Sequence, residues 1–348
     1  MNGSESKNKD SVLVTLANRA FLDQAKQLFS SAYWNGGWKG DYLLLAHEDV
    51  PEEDLVWFRK KGIEVFMCRA LTEKPIAGAK HPSVVLDKFY LFTPYFKQWN
   101  RVIFLDADII VRASIERLAN PKDALLATSA NGTSLRDEFI KQKRENGRLF
   151  KELKKTYRLA GKAFNSGVMA FRTKIIREDA FDTLLNLYNR FGGLNRYGEE
   201  ATFNLYFYKN WDMLPMLYNM YPHRAYYHFG IPHEELRGII IHFVYENIEK
   251  PWIKSSPFYE EWNVNFQKAD EIDISRPQSP AKTWTMREER AYLRKLSKGG
   301  ISIFLKKAYR ETLFAPYRFF HWTLGRVGKL IKAISPSLYR KLKNMRPA

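Results

Sequence analysis

Four short apolar runs, spaced by stretches of helical periodicity, fill the first third of the chain and leave few folds open to it. Residues 11–16, 41–46, 63–68 and 102–105 are each long enough for a strand and too short for a helix. Between them, 20–34, 51–61 and 83–96 carry the apolar spacing of amphipathic helices, with Pro51 opening the second and Gly62 ending it. This strand–helix alternation predicts a mostly parallel sheet covered by helices. Ligands of such sheets gather at the carboxyl ends of the strands. The 348 residues, 45% of them apolar, can build one large α/β domain plus an appendage and exclude global disorder. A single cysteine, Cys68, excludes an internal disulfide. The polar first ten residues lack the apolar core of a secretory signal, and no apolar run approaches the ~18 residues needed to cross a bilayer. A cytoplasmic location is expected.

The fourth run ends abruptly in Asp106 and Asp108. Side chains two apart on an extended backbone point the same way, so both carboxylates can converge on one cation. Like charges this close to an apolar strand are costly unless a metal or a basic group neutralises them. Read alone, Asp-x-Asp also fits a strand capped by solvated acids. Further along, a strand is expected at 124–128, a charged helix over 134–159, and an apolar strand with a small-residue entry over 163–171. A helix follows over 174–191, and another begins after Gly198 with Glu199 and Glu200 where the helix dipole favours acids. An aromatic strand-like stretch covers 213–221, and a last apolar strand, 239–243, contains His242.

Several familiar sites are excluded. Gly193 and Gly198 have phosphate-loop spacing, but Glu199 and Glu200 stand where Lys and Ser or Thr are required. His233 to Arg237 fails as a zinc-protease helix because Arg237 replaces the second histidine. What remains is a dispersed set: Lys88, Asp106, Asp108, Asn165, Glu199, Glu200, His242 and Lys250. Two carboxylates and an imidazole suit a Mn²⁺ or Mg²⁺ site with positions left for phosphate oxygens. His242, taken alone, fits a hydrogen-bonded core histidine equally well.

Charge divides the chain. Residues 281–348 hold 17 Lys and Arg against 3 Glu, or +14 of the total +18. A nearly balanced body with a basic tail points to a tail with its own anionic partner rather than to a nucleic-acid-binding protein. Residues 1–10 read as a disordered start, 11–269 as the α/β domain, 270–282, with two prolines and no periodicity, as a linker, and 283–348 as basic amphipathic helices. Such helices suit the plane of an anionic membrane surface, or pack on the body or on a second copy in a homodimer.

The order of the motifs resembles the family 8 retaining glycosyltransferases, the glycogenin and bacterial lipopolysaccharide-galactosyltransferase group. The likeness runs from about Val12 to Trp252. It rests on Leu86-Asp87-Lys88, on Phe104-Leu105-Asp106-Ala107-Asp108, on Phe164-Asn165-Ser166-Gly167, on Glu199-Glu200-Ala201-Thr202, and on His242 followed by Lys250-Pro251-Trp252. It implies a GT-A fold, a Rossmann-like mixed sheet with flanking helices that binds a nucleotide sugar, usually UDP-linked, with Mn²⁺ or Mg²⁺. Asp106, Asp108 and His242 would hold the metal and Lys250 the diphosphate. Lys88, Asn165 and Ser166 would meet the donor sugar, and Thr15, Leu16 and Ala17 would border the base and ribose. Glu200, beside Glu199, stands where the family commonly has Gln; it is a carboxylate stabiliser, a transient nucleophile, or simply a helix-terminal acid. The segment from His242 to Lys250 is two residues longer than the family's and lacks its glycine. The resulting expectation is a metal-dependent retaining glycosyltransferase that moves a hexose from a UDP-sugar to a glycan or lipid-linked acceptor while peripheral on the membrane. Its rivals are a self-glycosylating, glycogenin-like initiator and a catalytically silent protein that binds anionic surfaces or nucleic acid.

Overall fold

The computed structural model describes residues 9–72, 83–130, 134–140, 147–244, 250–303 and 305. A seven-stranded sheet forms the body, in the order β3-β2-β1-β4-β7-β6-β8. Its strands are β1 (Lys9–Ala17), β2 (Asp41–Ala46), β3 (Glu64–Met67), β4 (Trp99–Leu105), β6 (Leu125–Ser129), β7 (Phe164–Arg172) and β8 (Trp211–Met213). The four strands expected from the first third are all present, and β1 to β4 pair in parallel. β7 is the exception, antiparallel to both β4 and β6. β1 begins at Lys9, inside the stretch expected to be disordered; residues 1–8 lie outside the described residues.

Helix α1 (Leu22–Trp34) covers one face, and α2 (Glu52–Lys60) follows β2. Three acids fill the first turn of α2 and Arg59 and Lys60 its last, so both ends complement the dipole. Gly62 then takes φ +74°, which a side chain would resist. The helix expected at 83–96 is instead two runs of 3₁₀ turns, Ser83–Phe92 and Pro94–Gln98. Pro94 holds Thr93 in extended backbone, as a following proline does, and this breaks the run. The expected 134–159 helix is a 3₁₀ turn, Leu135–Glu138, and a short helix α3 (Arg148–Thr156). It is not a solvated rod: Leu135, Phe139, Phe150 and Leu153 bury into a small core of their own with Phe191 and Leu194. Helices α4 (Ala180–Phe191) and α5 (Glu200–Tyr206) pack on the second face with Phe89, Phe92 and Phe203. The 213–221 stretch contributes the end of β8, a 3₁₀ turn, Met216–Tyr218, and a parallel bridge from Met220 to Ile241, before α6 (Pro222–Phe229).

A second, two-stranded sheet lies beside the first. β5 (Ile109–Val111) leaves the end of β4 directly and pairs antiparallel with β9 (Ile240–His242). Helix α7 (Tyr259–Gln267) packs on α1. The expected linker at 270–282 is strapped to α1: Tyr33 Oη donates to the Asp273 and Arg276 carbonyls at 3.0 and 2.7 Å, and Ala281 N–H to Asn35 O at 3.0 Å. A helix α8 spans 286–303, and Trp284, Tyr292 and Leu296 bury in the same core as α1, β5 and β9. Ile301 and Leu305, farther along, are exposed. The rest of the amphipathic stretch expected over 283–348, residues 304 and 306–348, lies outside the described residues.

Candidate active site

Asp106 and Asp108 leave the carboxyl end of β4, and backbone geometry brings His242 to them. Ile109 stands opposite His242 in the β5–β9 ladder, and the Phe243 N–H donates to Asp108 O at 3.1 Å. Nε2 of His242 lies 3.1 Å from Asp108 Oδ1 and 3.6 Å from Asp106 Oδ2. One ligand atom from each of the three residues falls within 4.8 Å of the other two.

The tautomer follows from Asn219. Its amide nitrogen donates to Thr128 Oγ1 at 2.8 Å and Asn165 Oδ1 at 2.9 Å, so its oxygen faces His242 Nδ1 at 2.8 Å. A carbonyl oxygen only accepts, so Nδ1 carries a proton and Nε2 is the ring atom turned to the carboxylates, the one that a metal ion would take. Two carboxylate oxygens and Nε2 converge on one point, an arrangement that a proton or a metal ion between them would stabilise. The donor set, two carboxylates and an imidazole oriented from behind, fits a divalent ion of the Mn²⁺ or Mg²⁺ kind.

Two lysines flank the carboxylates. Lys88, buried, donates to Asp106 Oδ1 at 2.8 Å and Glu199 Oε1 at 2.6 Å. Lys250 donates to Asp108 Oδ2 at 2.7 Å and to the Phe243 carbonyl. Burial works against charge on Lys88, yet Asp106 and Glu199 outweigh it and hold the ammonium more firmly protonated than usual. Burial also pushes both aspartates up. It prevails at Asp106, whereas Lys250 and His242 pull Asp108 well below the usual carboxylate range. The two acids of the pair therefore differ in charge affinity, as neighbours in one site do.

The floor of the site comes from a bulge. Thr128 on β6 pairs with Asn165 while its neighbour Ala127 pairs with Met169, so Ser166, Gly167 and Val168 of β7 arch out of the ladder. A Cβ on Gly167 would sit 2.2 Å from His242 Cε1 and 2.6 Å from Asp106 Oδ2, so only glycine admits this approach. Asn165 Nδ2 donates to Glu200 Oε2 at 2.6 Å, and Ser166 Oγ to Glu199 Oε1 at 2.8 Å. Asn204, one turn into α5, bonds both the N–H and the C=O of Phe164 and locks helix to strand. Glu200 is buried, and burial pushes its carboxyl up to about 7.

Lys88, Asn165, Ser166, Glu199, Glu200, His242, Lys250 and the two aspartates therefore form one connected network. Thr15, Leu16 and Ala17 end β1 beside it but are buried, and the Thr15 hydroxyl donates to Leu105 O at 2.7 Å. That strand end can offer a ligand little beyond its backbone. Sequence reasoning missed Asn219, Gly167's steric role and Glu138. Asn219 sits in an aromatic run that reads as a strand, and nothing local marks it. The bulge had a signal in the consecutive small residues Ser166 and Gly167 within an apolar strand. Residues 245–249, the longer loop before Lys250, lie outside the described residues.

A mostly parallel sheet with one reversed strand, carrying an acidic pair at the end of β4 and an imidazole on an adjoining ribbon, is the architecture of the GT-A fold. The family model for glycosyl transferase family 8 matches residues 58–256, more than half of the chain, and the chain belongs to that family. Among solved structures it is similar to GlyE of Streptococcus pneumoniae TIGR4, at TM-score 0.55 and 19% identity over 77% of this chain and 63% of that one. It thus spans less than two thirds of GlyE. It is similar also to LgtC in complex with donor and acceptor sugar analogues, at TM-score 0.54 and 15% identity over 78% of this chain and 98% of that one. An active-site mutant of LgtC gives TM-score 0.56 and 16% identity over 80% and 99%. At these identities the likeness is one of fold. No curated protein matches the chain.

Proposed function

We propose that this glycosyltransferase is metal-dependent and retaining, and moves a hexose from a UDP-sugar to a glycan or lipid-linked acceptor. The observation that supports it most is His242, held by Asn219 with its Nε2 turned onto Asp106 and Asp108. Mn²⁺ or Mg²⁺ held there would supply Lewis-acid stabilisation to a departing diphosphate. The chain's own residues do the rest. Lys250 brings a fixed positive charge to the same edge, where negative charge grows as the sugar–phosphate bond lengthens. Lys88 and Asn165, both tied down by acids of α5, orient the sugar from below. Glu200 is the carboxylate set to face positive charge at the anomeric carbon, and Glu199 fixes Lys88 and Ser166. The base and ribose would lie against the β1 end at Thr15, Leu16 and Ala17. The acceptor hydroxyl is delivered from solvent.

The basic tail would hold the enzyme against an anionic membrane surface at the inner face of the cell, within reach of a lipid-linked or envelope acceptor. No described helix is long and apolar enough to cross a membrane. A thermal-shift screen of nucleotide sugars with and without Mn²⁺ tests the donor side, since a ligand of the native state raises the midpoint by mass action. A metal-dependent shift with UDP-sugars is expected. A screen in which no nucleotide sugar shifts the midpoint with Mn²⁺ present would sink the reading.

A further inference from the structure

Glu138 is a fully buried carboxyl whose two oxygens meet no N–H or O–H donor among the described residues. That is an unusual state for an acid, because burying an unpaired carboxylate is strongly unfavourable. Its position is not accidental slack. The Ser134–Asp137 capping box fixes the 3₁₀ turn that carries it. The Arg196 N–H donates to its carbonyl at 2.8 Å, and Phe139 bridges Asn195 in the segment leading into α5. The result sets the Glu138 carboxyl beside that of Glu200. Glu200 Oε2 already receives Asn165 Nδ2 at 2.6 Å and the Ser166 N–H at 3.4 Å.

We propose that Glu138 is a positioning residue for Glu200: the two buried carboxyls share one proton, carried by Glu138 and directed at the Glu200 carboxylate. The pair then holds one negative charge, all of it on the member that reaches Asn165 and the donor-sugar floor. This rests on the reading of Glu200 as the carboxylate facing the reacting sugar. Proton count favours it: two adjacent carboxyls in a low-dielectric pocket do not both ionise, and the one lacking other donors keeps the proton. Asp137 and Glu199 add negative charge around the pair, and Arg196 and Lys88 oppose it. Burial and the Glu200 charge both drive Glu138 well above the ordinary carboxyl range.

Infrared spectra of the full chain, recorded without donor from acid to about pH 8, read this directly. Wild type should show a protonated carboxylic-acid C=O band that persists through neutrality and disappears in Glu138→Gln. Absence of the band in wild type, or its survival in Glu138→Gln, overturns the proposal. The wild-type half of this test needs no variant, so a Glu138→Gln chain that fails to fold leaves it decisive. Where that variant folds, its acid limb of kcat should move up in pH, because an amide donates to the Glu200 carboxylate more weakly than the neutral Glu138 carboxyl does, with donor KM changed less than twofold. An acid limb that stays in place overturns it. A chain that turns over no UDP-sugar yet keeps the band defeats the donor reading and leaves the proton pair standing.

Discussion

At the scale of residues, Asp106, Asp108 and His242 are held by side chains behind them that leave them few alternatives. Asn219 holds His242 from behind and also donates to Thr128 and Asn165, so Asn219→Ala should weaken Mn²⁺ affinity by roughly 10–100-fold while saturating metal restores most of kcat. Mn²⁺ titration of activity checks this, and loss of kcat at every metal concentration would argue for a role beyond the tautomer. Asp108→Asn should lower kcat on the order of 100-fold or more without unfolding the chain, as removal of a group acting on developing charge does. Gly167→Ala should be nearly as damaging, since its methyl would displace both His242 and Asp106. Circular dichroism with activity separates that local effect from global loss. For Glu200 the pH dependence has a definite sign. Its folded pKa, about 7, lies above the unfolded value near 4.5, so the native state keeps a proton the unfolded chain has released. Stability from this group is complete below about 4.5 and is lost as pH rises through about 7. Glu200→Gln should therefore raise Tm relative to wild type more at pH 8 than at pH 5, measured without donor, and should lower kcat more than it changes donor affinity.

At the scale of elements, the site is an agreement between strands that are distant in sequence. The end of β4 supplies the acids, β9 the imidazole, the β7 bulge the Asn165 amide, and the start of α5 the glutamates. α8 belongs to this scaffold for at least its first half, because Trp284, Tyr292 and Leu296 close the core over β5 and β9. Arg117–Glu289 and Lys295–Glu235 ion pairs tie it down at the rim, with the second at 2.6 Å. Leu296→Ala should destabilise by about 2–5 kcal/mol in urea unfolding, a core value rather than the few tenths expected of an exposed tail.

At the scale of the whole molecule, the chain joins a nearly neutral catalytic body to a strongly basic end. Since 270–296 packs into the body, the part free to meet a membrane begins near Ile301 and Leu305, where apolar side chains turn outward. A variant ending at 305 keeps the buried anchors and still loses 11 of the 17 basic residues after Ala281. Each Lys or Arg near an anionic surface contributes about 1 kcal/mol before salt screening. Flotation with anionic liposomes should therefore retain the full chain and release the shortened one, and equal partitioning of the two would remove the membrane from the account.

The local code determined much of this protein. Short apolar runs, Pro51, Gly62 and the acids of α2 specify strands, starts and stops through neighbours a few residues away, and they place Asp106 and Asp108 at a strand end. The order of motifs picks out residues that the fold brings together around the end of β4. Tertiary structure alone decided that β7 runs backwards, that Asn219 orients His242, that Glu138 lies against Glu200, and that the expected linker is a strap on α1. The reason is physical. Helical and strand periodicity record which face of an element is buried, whereas a hydrogen bond between residues 23 or 54 positions apart, as Asn219 makes with His242 and Asn165, leaves no periodic trace in either segment.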